Sequence, residues 1–581
     1  MKQPLSVVIL LWAAIGLLPA CSPEHASPGT IRIQWAHDPE RLDPLQLTNQ
    51  PALEAANLVH TSLLQADIVK ATFAPALAEA LPSVQLIGDS LMNLGYGLRP
   101  TATWDDGRPV LTSDVAFTLK LLFCPGLANE ATRSQYRFIR AIRPDAENPR
   151  RFVLHCQGQA LENVLNSGDF FILPETAIDP RGQLRRYTLT ELRNQSRTVA
   201  LDTGLQSLAR RYLLAAQLGQ LPGCGPYRLA EWEKDRHLSF RRKPRWWGRS
   251  LRPASTVLQA RPSRLDYLII PNAATATLAL RRGDLDVYPH MPAREFARLQ
   301  AAPEARKQLS FYSTPSYDVV VAGFNTKHPA LADALTRQAL SQCFDASALL
   351  RATQLGSGQR TVGIISPNDR TNYNDSLAPL PYSPANAALL LRAAGWRRST
   401  APATGWFRQG PQGAREQLRL LMRYRADESL FATVALQFQA TAAELNIPVV
   451  LQPTESGAFT MALQGGDFDV YVRVLKGNPF MFNFVPLLHS LGVGAGNTTG
   501  FSTPASDHLI EAIAAAGNAA QRGRLLRHFQ ALMQREAPLV PLFFLPNRVA
   551  ASRRLQGLRV GSIKPGYSVL AMTPLAAASL D

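Results

Sequence analysis

The residues best suited to chemistry in this chain are two cations at the end of a predicted strand, and no catalytic set accompanies them. Arg473 lies near the end of the strand-like residues 468–474, and Lys476 follows them. A guanidinium or ammonium group there suits a carboxylate ligand, because charge-assisted hydrogen bonds are the strong ones. The alternative interpretation is that both side chains point to solvent.

An enzyme is not indicated by the remaining reactive residues. His155 and Cys156 are adjacent, and adjacent side chains of a strand face opposite sides, so they cannot form a nucleophile–base pair. The sequence contains no G-x-S-x-G, no H-E-x-x-H and no P-loop. It also has no C-x-x-C, so a zinc knuckle or a thioredoxin-like site has no support.

Alternating β-strands and α-helices are predicted to position these residues. In the C-terminal half, strands are predicted over 418–424, 449–452 and 468–474, with helices over 429–445 and 459–464 between them. The same order occurs at 265–287, where a helix over 273–282 lies between two short strands. Such alternation favours α/β lobes with largely parallel sheets.

The N-terminal segment indicates the compartment. Residues 7–18 form an apolar run that fits a secretory signal and is too short to span a bilayer. Leu18-Pro19-Ala20-Cys21 resembles a bacterial lipobox, which implies cleavage before Cys21 and lipid on its sulfur. Residues 1–20 are therefore predicted to be a signal peptide, and residues 21–30 a lipidated tether in the cell envelope. Secretion with an incidental cysteine is the alternative.

Length and charge narrow the function classes. The 581 residues predict two to four domains, and no later apolar run approaches a membrane span, which excludes a polytopic membrane protein. Residues 181–264 hold 18 Lys+Arg against 5 Asp+Glu, a net +13 of the chain's +17. Outside the cytoplasm, nucleic acid is an unsuitable partner. A solvated face or a surface near anionic lipid headgroups is expected instead.

The other four cysteines leave the redox state open. They are Cys124, Cys156, Cys224 and Cys343. An oxidising compartment permits disulfides, and Cys124 with Cys156 is one possible pair among three connectivities.

Six blocks of sequence, in order, resemble the family 5 extracellular solute-binding proteins. These are the peptide- and nickel-type receptors of ABC importers, the oligopeptide-binding protein among them. The blocks lie at 73–79, 98–117, 225–247, 323–340, 389–396 and 500–541. The most specific is Trp104-Asp-Asp-Gly-Arg-Pro109 followed by Thr112-Ser-Asp-Val-Ala-Phe117, whose residues are expected to be structural.

The resemblance implies a type II periplasmic-binding-protein-like α/β fold, with two lobes, a hinged cleft and an extra subdomain inserted in the first lobe. Lobe 1 is expected over 31–270 with the subdomain at about 57–160, lobe 2 over 271–543, and a return to lobe 1 over 544–581. The first crossing is placed near 270–272 and the return near 543–547, close to Pro271 and Pro546.

The resemblance also implies a set of ligand-binding residues in the cleft. They are Asn49, Gln50, Tyr317, Asn325, Arg473, Lys476, Asn478 and Phe480. Peptide binders of the family carry an aspartate after the strand that corresponds to 468–474, for the α-amino group. Here Asn478 is nearest in position and no aspartate follows, so free-amine recognition lacks its usual partner. Phe482 and Phe484 are further candidates for the cleft wall, with lobe core favoured for Phe484.

The function implied is capture of a peptide or peptide-like solute and its delivery to an ABC permease and ATPase. The receptor is expected to act as a monomer without cofactor, catalysis or nucleic acid. A receptor for a metal chelate, haem or an oligosaccharide is the alternative, as is a peptide sensor or chaperone. Direct metal binding needs His37, His60, His290 and His489 to converge.

Overall fold

One long β-sheet runs through both halves of the molecule. The computed structural model describes residues 29–251, 256–399, 404–410, 413, 415–480, 482–494 and 496–575. The predicted signal peptide, Cys21 and most of the predicted tether lie outside these residues. Within the described ranges, no helix is long and apolar enough to cross a bilayer.

The strands are β1 (Thr30–Trp35), β2 (Leu64–Asp67), β3 (Thr72–Pro75), β4 (Ser83–Ile87), β5 (Leu91–Gly97), β6 (Ile139–Pro144), β7 (Arg151–Gln157), β8 (Tyr227–Glu233), β9 (His237–Arg242), β10 (Arg264–Ile269), β11 (Val287–Tyr288), β12 (Leu309–Phe324), β13 (Gln359–Arg360), β14 (Arg397–Ser399), β15 (Gly405–Gln409), β16 (Arg415–Gln417), β17 (Leu420–Arg425), β18 (Val449–Thr454), β19 (Val470–Lys476), β20 (Leu539–Ser552), β21 (Leu555–Gln556), β22 (Arg559–Val560), β23 (Tyr567–Ser568) and β24 (Thr573–Pro574).

The α-helices are α1 (Gln50–Val59), α2 (Thr112–Leu122), α3 (Glu130–Gln135), α4 (Leu161–Asn166), α5 (Glu175–Ile178), α6 (Leu189–Asn194), α7 (Arg197–Ala200), α8 (Thr203–Gln217), α9 (Ala273–Arg282), α10 (Ala293–Ala301), α11 (Pro303–Gln308), α12 (Ala334–Ser341), α13 (Ala346–Gln354), α14 (Pro384–Ala393), α15 (Ser429–Glu444), α16 (Ser456–Gly465), α17 (Val485–Leu488), α18 (Pro504–Ala514) and α19 (Ala519–Glu536).

The strand order of the long sheet divides it into two lobes. The order is β18-β17-β19-β12-β20-β11-β1-β10-β9-β8, with β13 added on β20. At one end β10, β1 and β11 are parallel, and at the other end β18, β17 and β19 are parallel. The antiparallel strands β12 and β20 connect the two groups. The predicted α/β class, with β–α–β units and parallel strands in each lobe, is confirmed.

The chain crosses between lobes on β12 and β20. The first part of β12 pairs with β20 from Leu309–Ser552 to Pro315–Pro546, on the lobe 1 side. The ladder is then interrupted, and it resumes at Val319–Phe544 on the lobe 2 side. The two facing prolines lack backbone N–H donors, so the sheet is weakest at the point where it must bend.

The predicted first crossing at 270–272 is wrong. After β10 the chain makes helix α9 and then β11, which pairs with β1 and with Ala550 and Ala551 of β20, all in lobe 1. The buried side chains of α9 to α11 form one cluster with Leu309 and Ala550. Pro271 therefore precedes a helix within lobe 1, and the crossing lies about 45 residues later in the chain, at Pro315–Asp318.

The inserted subdomain is larger than predicted. Its four-stranded sheet has the order β4-β5-β7-β6. Helix α8 packs into the same core through Leu205, Leu208 and Tyr212, which share one face at helical spacing. The subdomain therefore extends past residue 160 to the end of α8, because the apolar faces of α4 to α8 are buried with its sheet.

Lobe 2 has a core on each face of its sheet. Along β12, Val320, Ala322 and Phe324 enter one core, and Val319 and Val321 enter the other, as the period of two along a strand requires. The C-terminal residues return to lobe 1, where Val549, Tyr567 and Met572 join the cluster that contains Ile31 and Ile33 of β1.

The block that contains Trp104 is structural, as expected. Trp104 is buried, and its Nε1 donates to Asp114 Oδ2 at 3.2 Å. Lys243, from a later block, lies 2.7 Å from the Asp105 carboxylate and ties the two blocks together. The four cysteines of the described residues are free and buried, so Cys124 and Cys156 are not paired. Burial raises the pKa of each thiol to about 12.

Candidate ligand-binding cleft

The carboxyl ends of the parallel strands of both lobes face each other. On lobe 1, β1, β10 and β11 end at this edge; on lobe 2, β17, β18 and β19 do. In open α/β sheets, ligands bind beyond the carboxyl ends of strands. His37, just after β1, lies close enough to Asp427 and Glu428, just after β17, to affect the pKa of each. The two edges therefore enclose an interlobe cleft.

Lobe 1 contributes His37, His290 and Lys564 to the cleft. His290 follows β11 with a left-handed backbone, φ 53°, and its ring meets that of Tyr567 edge-on at 6.3 Å. Its side chain is open to solvent, yet surrounding protein lowers the pKa of its imidazole by desolvation, with Asp318 opposing. Exposure to solvent together with desolvation by nearby protein is typical of a side chain that lines a deep cleft.

Lobe 2 contributes carboxylates and a second lysine. Glu428 is half-buried, and burial raises the pKa of its carboxyl, opposed by Arg425 among other groups. Asp427 forms an ion pair with Arg425, which lowers the pKa of its carboxyl together with a small contribution from His37. Asp318 stands directly opposite Lys476 in the β12–β19 register, an arrangement that favours opposite charges.

One ion pair bridges the lobes beside the crossing strands. Lys564, on the returning C-terminal segment of lobe 1, lies 2.8 Å from Asp318. Burial lowers the pKa of the Lys564 ammonium, and Asp318 opposes this shift. The cleft therefore carries the Lys564 ammonium on the lobe 1 side, and both carboxylates and the Lys476 ammonium on the lobe 2 side.

A second bridge lies away from the hinge, between lobe 2 and the subdomain. The loop after β19, described over residues 477–480 and 482–484, places the Phe480 ring 4.5 Å from the Phe73 ring. The backbone N–H of Phe482 donates to Glu162 Oε1 at 3.0 Å. Burial raises the pKa of Glu162, and this hydrogen bond and Arg522 oppose the shift. These contacts join the lobes across the cleft.

Four predicted site residues lie together at the end of β19. Lys476 is exposed at the strand end, Asn478 accepts from the N–H of Phe480, and Phe480 packs on the subdomain. The carbonyl of Tyr317 accepts from Gly477 N–H at 2.9 Å, which places this tyrosine beside them at the crossing.

Four other predicted residues lie elsewhere or are engaged within the protein. Asn49 caps α1, accepting from Ala52 N–H and donating to the Asp38 carbonyl. Gln50 donates to Glu54 at 3.3 Å. The Arg473 guanidinium lies 5.3 Å from the centre of the Tyr471 ring on the lobe 2 core side, and its buried Nε has no hydrogen-bond partner among the described residues.

Asn325 is not a cleft residue. It follows β12 at the end remote from the crossing, where its Nδ2 donates to the carbonyls of Gly466 and Phe468. The sequence analysis chose the right strand but the wrong end of it. In lobe 2, β12 is antiparallel to β19, so the cleft is at the Asp318 end of β12 and Asn325 follows the opposite end.

The sequence did not single out Asp318, Glu428 or Lys564. For Glu428 a signal was available, since Asp427-Glu428 comes three residues after the end of a predicted strand in a β–α–β unit, near the position where such folds place ligand groups. Lys564 lies at the site because the chain returns to lobe 1 after β20. No local sequence pattern predicts this position.

The four histidines considered for metal binding do not converge. His37 and His290 lie on the lobe 1 edge, whereas His60 is buried in lobe 1, where burial lowers the pKa of its imidazole to about 3. His489 lies in lobe 2, 3.4 Å from Glu511. In the part of the chain that the structure describes, no group of three or more His, Cys, Asp or Glu side chains could hold a metal ion.

Comparisons with known proteins agree with this architecture. Residues 72–492 match the family model of bacterial extracellular solute-binding proteins, family 5 middle. The probable di/tripeptide-binding protein 5 of Pseudomonas aeruginosa is 24% identical over 563 residues, covering 94% of this chain and 95% of that protein.

Two solved structures have a similar fold. The oligopeptide-binding protein AppA of Bacillus subtilis, in complex with a nonapeptide, aligns with a TM-score of 0.72 at 17% identity, over 94% of this chain and 99% of that chain. The periplasmic EDTA-binding protein EppA aligns with a TM-score of 0.76 at 16% identity, over 94% and 97% of the two chains.

Proposed function

Because the chain belongs to the bacterial extracellular solute-binding proteins of family 5, we propose that it captures a peptide or peptide-like solute between its lobes and delivers it to an ABC permease. The receptor is proposed to act outside the cytoplasm, tethered through a lipid on Cys21. The observation that carries the choice of ligand is the presence of both charge signs in the cleft. Asp427 and Glu428 suit an ammonium group, and Lys476 suits a carboxylate.

A zwitterionic chain molecule satisfies these groups together. A peptide ends in an ammonium at one side and a carboxylate at the other, and its amides add donors and acceptors between them. Both the di/tripeptide-binding relative and AppA with its nonapeptide support a peptide. The missing aspartate after β19 is compensated in this proposal by the acidic pair after β17, the parallel neighbour of β19.

Capture is proposed to occur by closure of the two lobes, which the crossing strands β12 and β20 connect. A ligand that touches both edges binds the closed form better than the open form, and only this difference shifts the equilibrium toward closure. Lys564–Asp318 and the Phe480–Phe73 contact complete the closed form at its two ends. The closed receptor is then the form that a permease recognises.

A binding experiment with capped peptides tests the proposal. Mass spectrometry of molecules that co-purify with the protein identifies candidate peptides, and calorimetry measures their affinity. Glu428→Gln is expected to weaken binding of a peptide with a free amine roughly tenfold to hundredfold, the value of one hydrogen bond to a charged group. The N-acetylated peptide is expected to bind weakly, and equally, to both proteins.

Glu444→Gln, an exposed position at the end of α15, is the matched control and is expected to leave affinity unchanged. Equal effects of Glu428→Gln on free and acetylated peptides contradict the assignment of the amine to Glu428. Co-purification of metal chelates or oligosaccharides alone, with no peptide binding, contradicts the peptide proposal.

A further inference from the structure

Three arginines stand side by side on the outer face of the lobe 1 sheet. In the register of neighbouring strands, Arg264 of β10 is opposite Arg241 of β9, and Arg241 is opposite Arg228 of β8. Residues directly opposite each other point to the same face of a sheet. The next residues along two of the strands, Leu265 and Phe240, are buried in the core, so the three arginines, here called the arginine row, face outward.

The arginine row is only partly neutralised. Arg264 donates to Asp266 Oδ1 at 2.7 Å and to Ser239 Oγ at 2.9 Å. Arg228 and Arg241 are exposed, and among the described residues neither side chain has an ion pair or a hydrogen bond. Like charges directly opposite each other destabilise a sheet. The row therefore has an electrostatic cost that a bound anion removes.

A shallow depression joins the three side chains. It has a volume of about 310 Å³ and is lined by the arginine row together with Leu229, Ala230 and Glu231. The one carboxylate of this lining, Glu231, lies 3.3 Å from His237 Nε2. An extra residue in β8 between the pairs of Leu229 and Glu231 bends the strand at this place.

The arginine row lies at the same position along the strand direction as the first residue of β1. Thr30 of β1 is paired with Arg264, so four neighbouring strands place Thr30 and the arginine row on one line. This line is at the amino ends of β1 and β10, whereas the cleft is at their carboxyl ends. Residues 21–30 span at most about 30 Å when extended. A bilayer holding Cys21 is therefore within reach of the row.

We propose that the arginine row binds the headgroups of anionic phospholipids in the bilayer to which the chain is tethered. The inference uses the tether proposed above but concerns a different surface from the ligand cleft. Guanidinium groups match phosphate oxygens in a bidentate manner. Each unpaired cation at an anionic membrane surface raises occupancy about fivefold, so Arg228 and Arg241 together raise it roughly 25-fold.

This binding fixes the orientation of the receptor. The row lies on the outer face at the amino ends of β1 and β10, and the cleft lies at their carboxyl ends, so lipid bound at the row leaves the cleft clear. The receptor is then held with its cleft open to solute rather than to the membrane surface.

Hydrogen exchange on lipid nanodiscs tests the proposal. The full chain is combined with nanodiscs of phosphatidylcholine, or of phosphatidylcholine with phosphatidylglycerol, and amide exchange is measured by mass spectrometry. Peptides that cover residues 227–242 are expected to exchange severalfold more slowly with phosphatidylglycerol present. The protection is expected to disappear at 1 M salt, where screening acts over about 3 Å.

The double variant Arg228→Gln/Arg241→Gln is expected to lose this protection. Arg351→Gln/Arg419→Gln, which removes the same charge from exposed positions of lobe 2, is expected to retain it. Equal exchange on the two kinds of nanodisc overturns the proposal, as does protection that the first double variant retains. Protection by inorganic phosphate on phosphatidylcholine nanodiscs, without any by phosphatidylglycerol, also overturns it and indicates a site for a free anion. Peptide affinity, measured in parallel, distinguishes these outcomes from failure of the proposed function.

Discussion

At the scale of single residues, a buried carboxyl group lies beneath the lobe 1 edge of the cleft. Glu54 is 7% exposed, and its Oε2 accepts from Tyr567 OH at 2.5 Å and from Trp35 Nε1 at 3.1 Å. Burial raises the pKa of Glu54 to about 7, although these hydrogen bonds favour the ionised form. Tyr567 in turn contacts His290 in the cleft.

This carboxyl is expected to make stability depend on pH. In the unfolded chain Glu54 ionises near pH 4.5, but in the folded chain it stays protonated to about pH 7. The folded state therefore loses stability as pH rises between these values, and the loss is complete above the folded pKa. Glu54→Gln, which cannot ionise, is expected to show a smaller decrease in Tm between pH 5 and pH 8.

Thermal unfolding followed by circular dichroism measures this difference. The surface change Glu304→Gln is the control, because its side chain is 78% exposed, and it is expected to keep the wild-type pH dependence. An equal decrease in Tm for wild type and Glu54→Gln contradicts the assignment.

At the scale of elements, the loop 477–484 connects β19 to the subdomain of the other lobe. Its contacts are the Phe480–Phe73 ring pair and the hydrogen bond from Phe482 N–H to Glu162. Both form only when the lobes are together. The loop therefore stabilises the closed form and affects the open form little.

Removing one ring of this contact is expected to favour the open form. An aromatic pair is worth about 0.5–1.5 kcal/mol beyond its buried area, so Phe480→Ala is expected to lower the closed-to-open ratio roughly two- to tenfold. Small-angle X-ray scattering without ligand is expected to give a larger radius of gyration. Phe407→Ala, in the outer sheet of lobe 2, is the control. A smaller or unchanged radius for Phe480→Ala contradicts a role in closure.

Local patterns predicted the elements well but not the route of the chain. The helix predicted over 273–282 is α9 within the same bounds, and the strand predicted at 468–474 is β19, displaced by two residues. The crossing was misplaced because a β–α–β unit looks the same in either lobe. Only the pairing of β11 with β1 and β20 assigns it to lobe 1. Register between strands that are distant in sequence is not visible in periodicity.

The same limit applies to the candidate site: local sequence patterns indicate some of its residues, but not those that distant parts of the chain bring together. Lys476, Asn478 and Phe480 could be predicted as candidates from the sequence because they adjoin a recognisable strand end. Asp318 and Lys564 could not, because they meet at 2.8 Å across 246 positions of sequence and belong to different lobes. Asn49 has a polar side chain at a suitable place, but the chain uses it to cap α1.

At the scale of the whole molecule, the lobes have separate cores. Lobe 1 and its subdomain bury their apolar side chains in clusters distinct from the two of lobe 2, and β12 and β20 connect them. Differential scanning calorimetry without ligand is expected to show two transitions, with a calorimetric enthalpy above the van't Hoff value.

A core substitution assigns the transitions. Phe438 of α15 is fully buried in lobe 2, and Phe438→Ala is expected to cost about 3–5 kcal/mol and to lower one transition while leaving the other in place. A single transition that shifts as a whole contradicts independent unfolding of the lobes.

The buried thiols have a practical consequence for measuring lobe motion. Cys124, Cys156, Cys224 and Cys343 are enclosed, and a pKa of about 12 keeps them as unreactive thiols at neutral pH. Maleimide dyes are therefore expected to spare them. One new cysteine on the exposed surface of each lobe provides a donor–acceptor pair, and opening and closing can be followed by energy transfer in single molecules without removing these four native thiols.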